Sequence, residues 1–146
     1  MSNKVYSKMM TTRTAAILRL YLLFLGMGLL VQGIVSMILI IGNIQVPALI
    51  AWLVKTDALH ATIHISWGFI LLILLFRKRS KRLLVLLGLS FSVFYLILGF
   101  LGILIHHPFG MLLGWRENIF HFLTSLVALT LSLQVSKGRR NDITSD

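Results

Sequence analysis

Cysteine is absent from this 146-residue chain. That excludes disulfides, thiolate metal sites, iron–sulfur clusters, covalently attached haem and cysteine nucleophiles. Acidic residues are almost as scarce. There are four, and two of them, Asp142 and Asp146, stand near the C-terminal end. A hydrolase built on paired carboxylates has almost nothing to work with. Charged residues of both signs make up only 12% of the chain, about half the fraction of an average soluble domain. No H-E-x-x-H, P-loop, G-x-S-x-G or dinucleotide fingerprint is present.

What the chain has instead is apolar length. Hydrophobic residues make up 58% of it, more than a soluble domain of this size could bury. The runs predict an all-α, four-helix transmembrane bundle forming one integral membrane domain over residues 1–146. The expected spans are about 16–41, 58–76, 83–105 and 118–135, each near the ~20 residues that cross a bilayer. Residues 1–14 and 136–146 read as polar ends. The apolar segment 44–54 contains Pro47 and is too short to span, so it is expected to lie in the outer interface with Trp52 at headgroup depth. The run from Leu20 to Ile41 is too long for a signal-peptide core, and it reads as a retained first helix.

Charge sets the expected orientation. The formal net charge is +10, which in a soluble protein would suggest nucleic acid. Placement argues otherwise. Lys4, Lys8, Arg13 and Arg19 belong to the N-terminal end, with Arg19 able to snorkel to the inner surface. Arg77, Lys78, Arg79, Lys81 and Arg82 lie between the second and third spans, and Lys137, Arg139 and Arg140 follow the fourth. Only Lys55 and Arg116 fall in the other two loops. The positive-inside rule places both termini in the cytoplasm and the helices up-down-up-down in a plasma (inner) membrane. The run Arg77–Arg82 is topogenic and also suits contact with anionic lipid. The bilayer is the expected partner, together with a second copy or a membrane-complex subunit, and no nucleic acid.

Each helix carries one stripe of small and polar residues, the kind that marks helix contacts in lipid. These are Gly28, Gln32 and Ser36 on the first, and His60, His64 and Gly68 on the second. On the third they are Gly88, Ser92, Tyr95, Gly99 and Gly102, and on the fourth His121, Ser125, Ala128 and Ser132. Gln32, Ser92, Tyr95 and Ser125 are the expected polar packing groups. Gln32 can bond across the bundle or to its own backbone. The two halves also look alike, as in a duplicated helix pair. Asp57-x-x-His60 can be matched to Asn118-x-x-His121, or His64-x-x-x-Gly68 to His121-x-x-x-Ser125.

Two segments carry a family resemblance. One is Asp57-Ala-Leu-His60-Ala-Thr-Ile-His64-Ile-Ser-Trp-Gly68. The other is Phe109-Gly-Met-Leu-Leu-Gly-Trp-Arg-Glu117-Asn118-Ile-Phe-His121. Together they resemble the signature of a bacterial four-helix membrane family known as domain of unknown function 4383. That family pairs an H-x-x-x-H-x-x-x-G helix with a later D-N-x-x-H-x-x-x-G helix, after a Gly-rich loop. Glu117 stands where Asp is usual and Ser125 where Gly is usual. The resemblance spans all four helices. It implies the four-helix architecture and a bacterial inner membrane, and it implies no activity.

All five histidines, with Asp57, Arg116 and Glu117, gather toward the outer end. At about 1.5 Å per residue, His60, His64 and His121 lie within roughly 10 Å of it. Two readings stay open for them. In one, His60, His64 and His121 form a metal site with an open position, and Asp57 or Glu117 serves as supporting group or fourth ligand. Axial b-type haem ligation by His64 and His121, or proton handling, are variants of it. In the other, Thr56-Asp57 and Asn118 are N-caps, and His60 and His121 bond back toward them from the first turn. That explains His64 poorly. The functional expectation is a small non-enzymatic structural or accessory membrane protein. The alternative is a metal- or haem-binding protein with its site at the outer end. Transport of protons or small molecules by an oligomer is third.

Overall fold

The computed structural model describes residues 3–47, 54, 57–77, 80–105, 107–111 and 113–144. They form α1 (Asn3–Ile41), α2 (Ala58–Arg77), α3 (Lys81–Ile105) and α4 (Trp115–Thr144), with a short 3-10 turn at Pro108–Gly110. No strand occurs among them. All four helices are long and apolar enough to cross a membrane, and the chain is a multi-pass membrane protein of the four-helix class. The outward surface fits that setting. Phe24, Phe76 and Leu104 are each more than two-thirds exposed, which suits lipid and would be costly in water.

Close approach of backbones sets the packing of α1 on α2. A Cβ on Gly33 would lie 2.8 Å from the Ala61 carbonyl, and one on Gly68 would lie 2.7 Å from the Gly26 carbonyl. Rising numbers on α1 meet falling numbers on α2, so the pair is antiparallel. α3 and α4 pair the same way: Gly88 meets Ser132, Gly99 meets Phe122, and Gly102 meets Asn118. α1 also runs along α4, joined by the Tyr21 hydroxyl donating to the Thr124 carbonyl at 2.7 Å. Small residues at these contacts let dispersion act over long stretches of backbone, the main attraction available between helices in lipid. The fourth seam differs. Between α2 and α3 the indole of Trp67 fills the gap, 5.5 Å from the Phe91 ring and 5.4 Å from the Phe94 ring.

Two helices extend further than polarity alone suggests. α1 begins at Asn3 and α4 continues to Thr144, where the sequence reads as polar ends. At 39 residues α1 is about 58 Å long, roughly twice a hydrocarbon core. Polarity marks where the membrane ends; it does not stop a helix that has a partner. α1 and α4 continue side by side, with Gly138 set directly against the buried Thr11. Near this end Arg19 turns inward and donates to the Leu75 carbonyl in the last turn of α2. A cation on those terminal carbonyls is favourable for the helix dipole.

The other end carries the C-termini of α1 and α3 and the N-termini of α2 and α4. There Met111 and Leu113 fold into the core, so the segment before α4 closes the α3–α4 side. Left-handed backbone at Phe109 (φ 56°) and Gly110 (φ 81°) makes that turn. Of the segment 44–54, residues 48–53 with Trp52 lie outside the described residues, as do Thr56, Lys78, Arg79 and His106.

Candidate metal centre

Helix starts decide where each histidine sits. α2 is capped by Asp57. Its Oδ1 accepts the His60 backbone N–H at 2.7 Å, and its carbonyl accepts that of Ala61. This is N-cap geometry, and removing such a cap costs about 1 kcal/mol. α4 starts earlier than its sequence suggests. The Gly114 carbonyl accepts the Asn118 N–H at 3.1 Å, so Gly114 is the cap and Asn118 is inside the first turn. The expectation that Asn118 caps α4, with His121 bonding back to it, is therefore corrected. His121 lies two turns inside the helix, at the same distance from its cap as His64 from Asp57.

That depth brings the rings together. His60, His64 and His121 are 1%, 2% and 1% exposed, and each offers a ring nitrogen within 4.8 Å of the others. The Nε2 atoms of His60 and His64 are 3.1 Å apart. The His60 ring stands edge-on to His64 and 5.7 Å from His121. Four residues separate His60 from His64, which puts them on one face of α2. The antiparallel run of α4 sets His121 opposite.

The surroundings divide by role. Asp57 Oδ2 lies 3.7 Å from His60 Nδ1, beyond a hydrogen bond but on the side away from His64. A carboxylate there favours the tautomer with its proton on Nδ1 and a lone pair on Nε2, the arrangement of carboxylate-backed metal ligands. Glu117 is not among the three converging groups. Its carboxylate folds back over Gly114, as a third-position acid does in a capping box. Tyr95, from α3, is fully buried, with its ring 5.1 Å from His121 and 6.3 Å from His64. Its hydroxyl has no hydrogen-bond partner among the described residues. The sequence marks Tyr95 for packing only; a phenol one helix face from two histidines is the signal for more.

The other expected packing groups behave locally. Ser92 donates to the Gly88 carbonyl and Ser125 to that of Phe122, each on its own helix. Gln32 is half-buried and lines a cleft of about 570 Å³ between α1, α2 and α4. The three histidines form part of its wall, with Arg116 and Glu117 also on it. Arg77, Lys81 and Arg82 lie at the opposite end of the bundle, at the junction of α2 and α3. His107 precedes the 3-10 turn, away from the three converging rings.

The His60–His64 pair matches zinc spacing, and the whole donor set lies within 4.8 Å. Imidazole nitrogens ~2.0–2.1 Å from a tetrahedral ion lie ~3.3 Å from one another, and the His60–His64 pair is already at 3.1 Å. Haem fits less well. A porphyrin needs a slot between His64 and His121, and His60 stands against both of those environments. Compared with protein-family models, curated proteins and solved structures, the chain matches none.

Proposed function

We propose that this chain is a membrane protein that holds one first-row transition-metal ion, zinc by preference, on His60, His64 and His121. The observation that carries the reading is the convergence of three buried imidazoles from two helices. Three neutral nitrogens leave a tetrahedral ion one open position, which gives it the capacity to bind or activate a small ligand. Metal binding would displace the His64 proton that lies between the two Nε2 atoms, to His64 Nδ1 or to solvent, while Asp57 would favour the His60 tautomer that keeps its proton on Nδ1. A water on the ion would offer the buried Tyr95 hydroxyl an acceptor, whose lack costs about 1–3 kcal/mol.

The basic-residue bias supports cytoplasmic termini and so an outward-facing site in a plasma membrane. Reporter fusions at the C-terminus and in the 106–114 loop check this: the first should read cytoplasmic, and the reverse pattern contradicts it. The likeness of the two histidine segments to the four-helix family of unknown function supports the same architecture.

Elemental mass spectrometry of tag-free protein in mild detergent tests the metal. About one ion per chain is expected in the wild type, and none in a His64→Ala, His121→Ala double variant. No metal in the wild type, after incubation with excess zinc and copper, sinks the proposal. An accessory, non-enzymatic role then becomes the better reading.

A further inference from the structure

Gly28 has no packing reason to be glycine. At Gly26, Gly33 and Gly68 a Cβ would meet a neighbouring helix; at Gly28 it would meet nothing within 4 Å. Glycine costs a helix roughly 1 kcal/mol relative to alanine, and here no contact offsets it. What Gly28 does is widen the cleft that it lines. Phe24, Val31, Gln32 and Val35 share that face of α1 and line the same cleft. Phe24 and Val31 are 73% and 59% exposed, so the cleft opens sideways onto what would be lipid rather than into the bundle. From Phe24 to Val35 it runs about 16 Å along the helix axis.

Its chemistry is graded. The stretch around Phe24, Leu25, Gly28 and Leu29 is wholly apolar. At the other end are Gln32, the three histidines, Arg116 and Glu117. Pockets that are mostly apolar with a few convergent polar groups select amphiphilic ligands. We infer that the cleft takes a lipid-soluble amphiphile from the bilayer. Its apolar tail lies along the Gly28 face, and its oxygen-donor head reaches the open position of the ion on His60, His64 and His121. This rests on the metal reading above. A fatty carboxylate and a long-tailed quinol share that head chemistry, and the test separates them.

The test uses full-length protein in nanodiscs of dioleoylphosphatidylcholine, loaded with Co²⁺, whose visible absorption reports changes at its open position. Laurate and a decyl-substituted ubiquinol are titrated separately. A saturable spectral change with either identifies that head class; a change with both identifies the shared oxygen donor. Gly28→Phe fills the cleft without removing a ligand. It should keep Co²⁺ and its resting spectrum but weaken the amphiphile response by about tenfold or more. Gly28→Ala, which adds only a methyl, should respond nearly as the wild type does and shows that the fold is intact. Bound Co²⁺ with no response to either amphiphile overturns the inference and leaves the metal site standing. An undiminished response in Gly28→Phe also overturns it. If no Co²⁺ binds, the metal reading fails and the inference falls with it.

Discussion

The two helix pairs, α1–α2 and α3–α4, are built alike and finished differently. Counting from the helix caps matches Asp57 to Gly114, His60 to Glu117, His64 to His121 and Gly68 to Ser125. The contacts agree with this register. Gly33 packs on Ala61 and Ile65, and Gly102 and Gly99 pack on the matching Asn118 and Phe122. This favours the register that pairs His64-x-x-x-Gly68 with His121-x-x-x-Ser125. The α1–α2 pair supplies two of the three converging histidines and the α3–α4 pair one. Where α2 has an aspartate cap behind a histidine, α4 has a glycine cap and a glutamate folded over it. The scaffold is shared between the halves, while the donor set is lopsided.

That contrast predicts unequal responses to equal changes. The largest effect is expected at the matched pair. His64→Ala and His121→Ala should each weaken zinc binding by at least ~100-fold, because each takes one of three ligands. Competitive titration against a chelator measures it. A variant of either that binds as tightly as the wild type breaks the three-ligand site.

Next come the glycines. Gly68→Ala drives a methyl onto the Gly26 carbonyl and the Leu30 nitrogen, both backbone atoms that cannot rotate away. It should destabilise the bundle by about 2–3 kcal/mol. For Gly102→Ala the nearest atoms belong to the Asn118 side chain, which can turn, and about 1 kcal/mol is expected. Unfolding in mixed micelles orders the two; equal costs would show that the α1–α2 seam is no tighter than α3–α4.

Asp57→Asn separates capping from metal support. Asparagine caps as well as aspartate, so stability should change little. Zinc affinity should still fall by about 10–100-fold, the usual effect of losing a carboxylate behind a ligating histidine. Gly114→Asn at the matched position of α4 should leave affinity unchanged. If Asp57→Asn is silent in zinc titration, the carboxylate has no supporting role.

The smallest effect is expected at Arg19. Replacing it with Leu removes a donor to the last turn of α2 and should cost about 0.3–1 kcal/mol. Thermal denaturation in detergent reads the loss, and a stabilised variant would contradict the capping role.

Most of the fold could be read from hydropathy, because a membrane demands long apolar runs and each run is one helix. The helix ends could not. Polarity rises at residue 14 and again after residue 135, yet α1 and α4 keep going because Gly138 lets Thr11 pack against it. On α1 the small residues form two faces, Gly26 with Gly33 and Gly28 with Gln32. Spacing alone does not say which one meets a helix. Of the stripe Gly28, Gln32 and Ser36, Ser36 is buried, while Gly28 and Gln32 line the cleft and α2 packs on Gly26 and Gly33. For the site, the candidate ligands were legible and the start of α4 was not. His64 stood out because capping could not explain it. His121 could be named as a candidate ligand from the sequence, but its depth in α4 could not, because the asparagine three residues before it looks like a cap and is not one.

X-ray absorption of the zinc-loaded protein reads the ligand set itself. Three histidine ligands give three imidazole nitrogens at ~2.0 Å and one further light atom in the open position, with an imidazole lost in His60→Ala. A shell of oxygens, or an imidazole count that His60→Ala leaves unchanged, would contradict a metal centre on His60, His64 and His121.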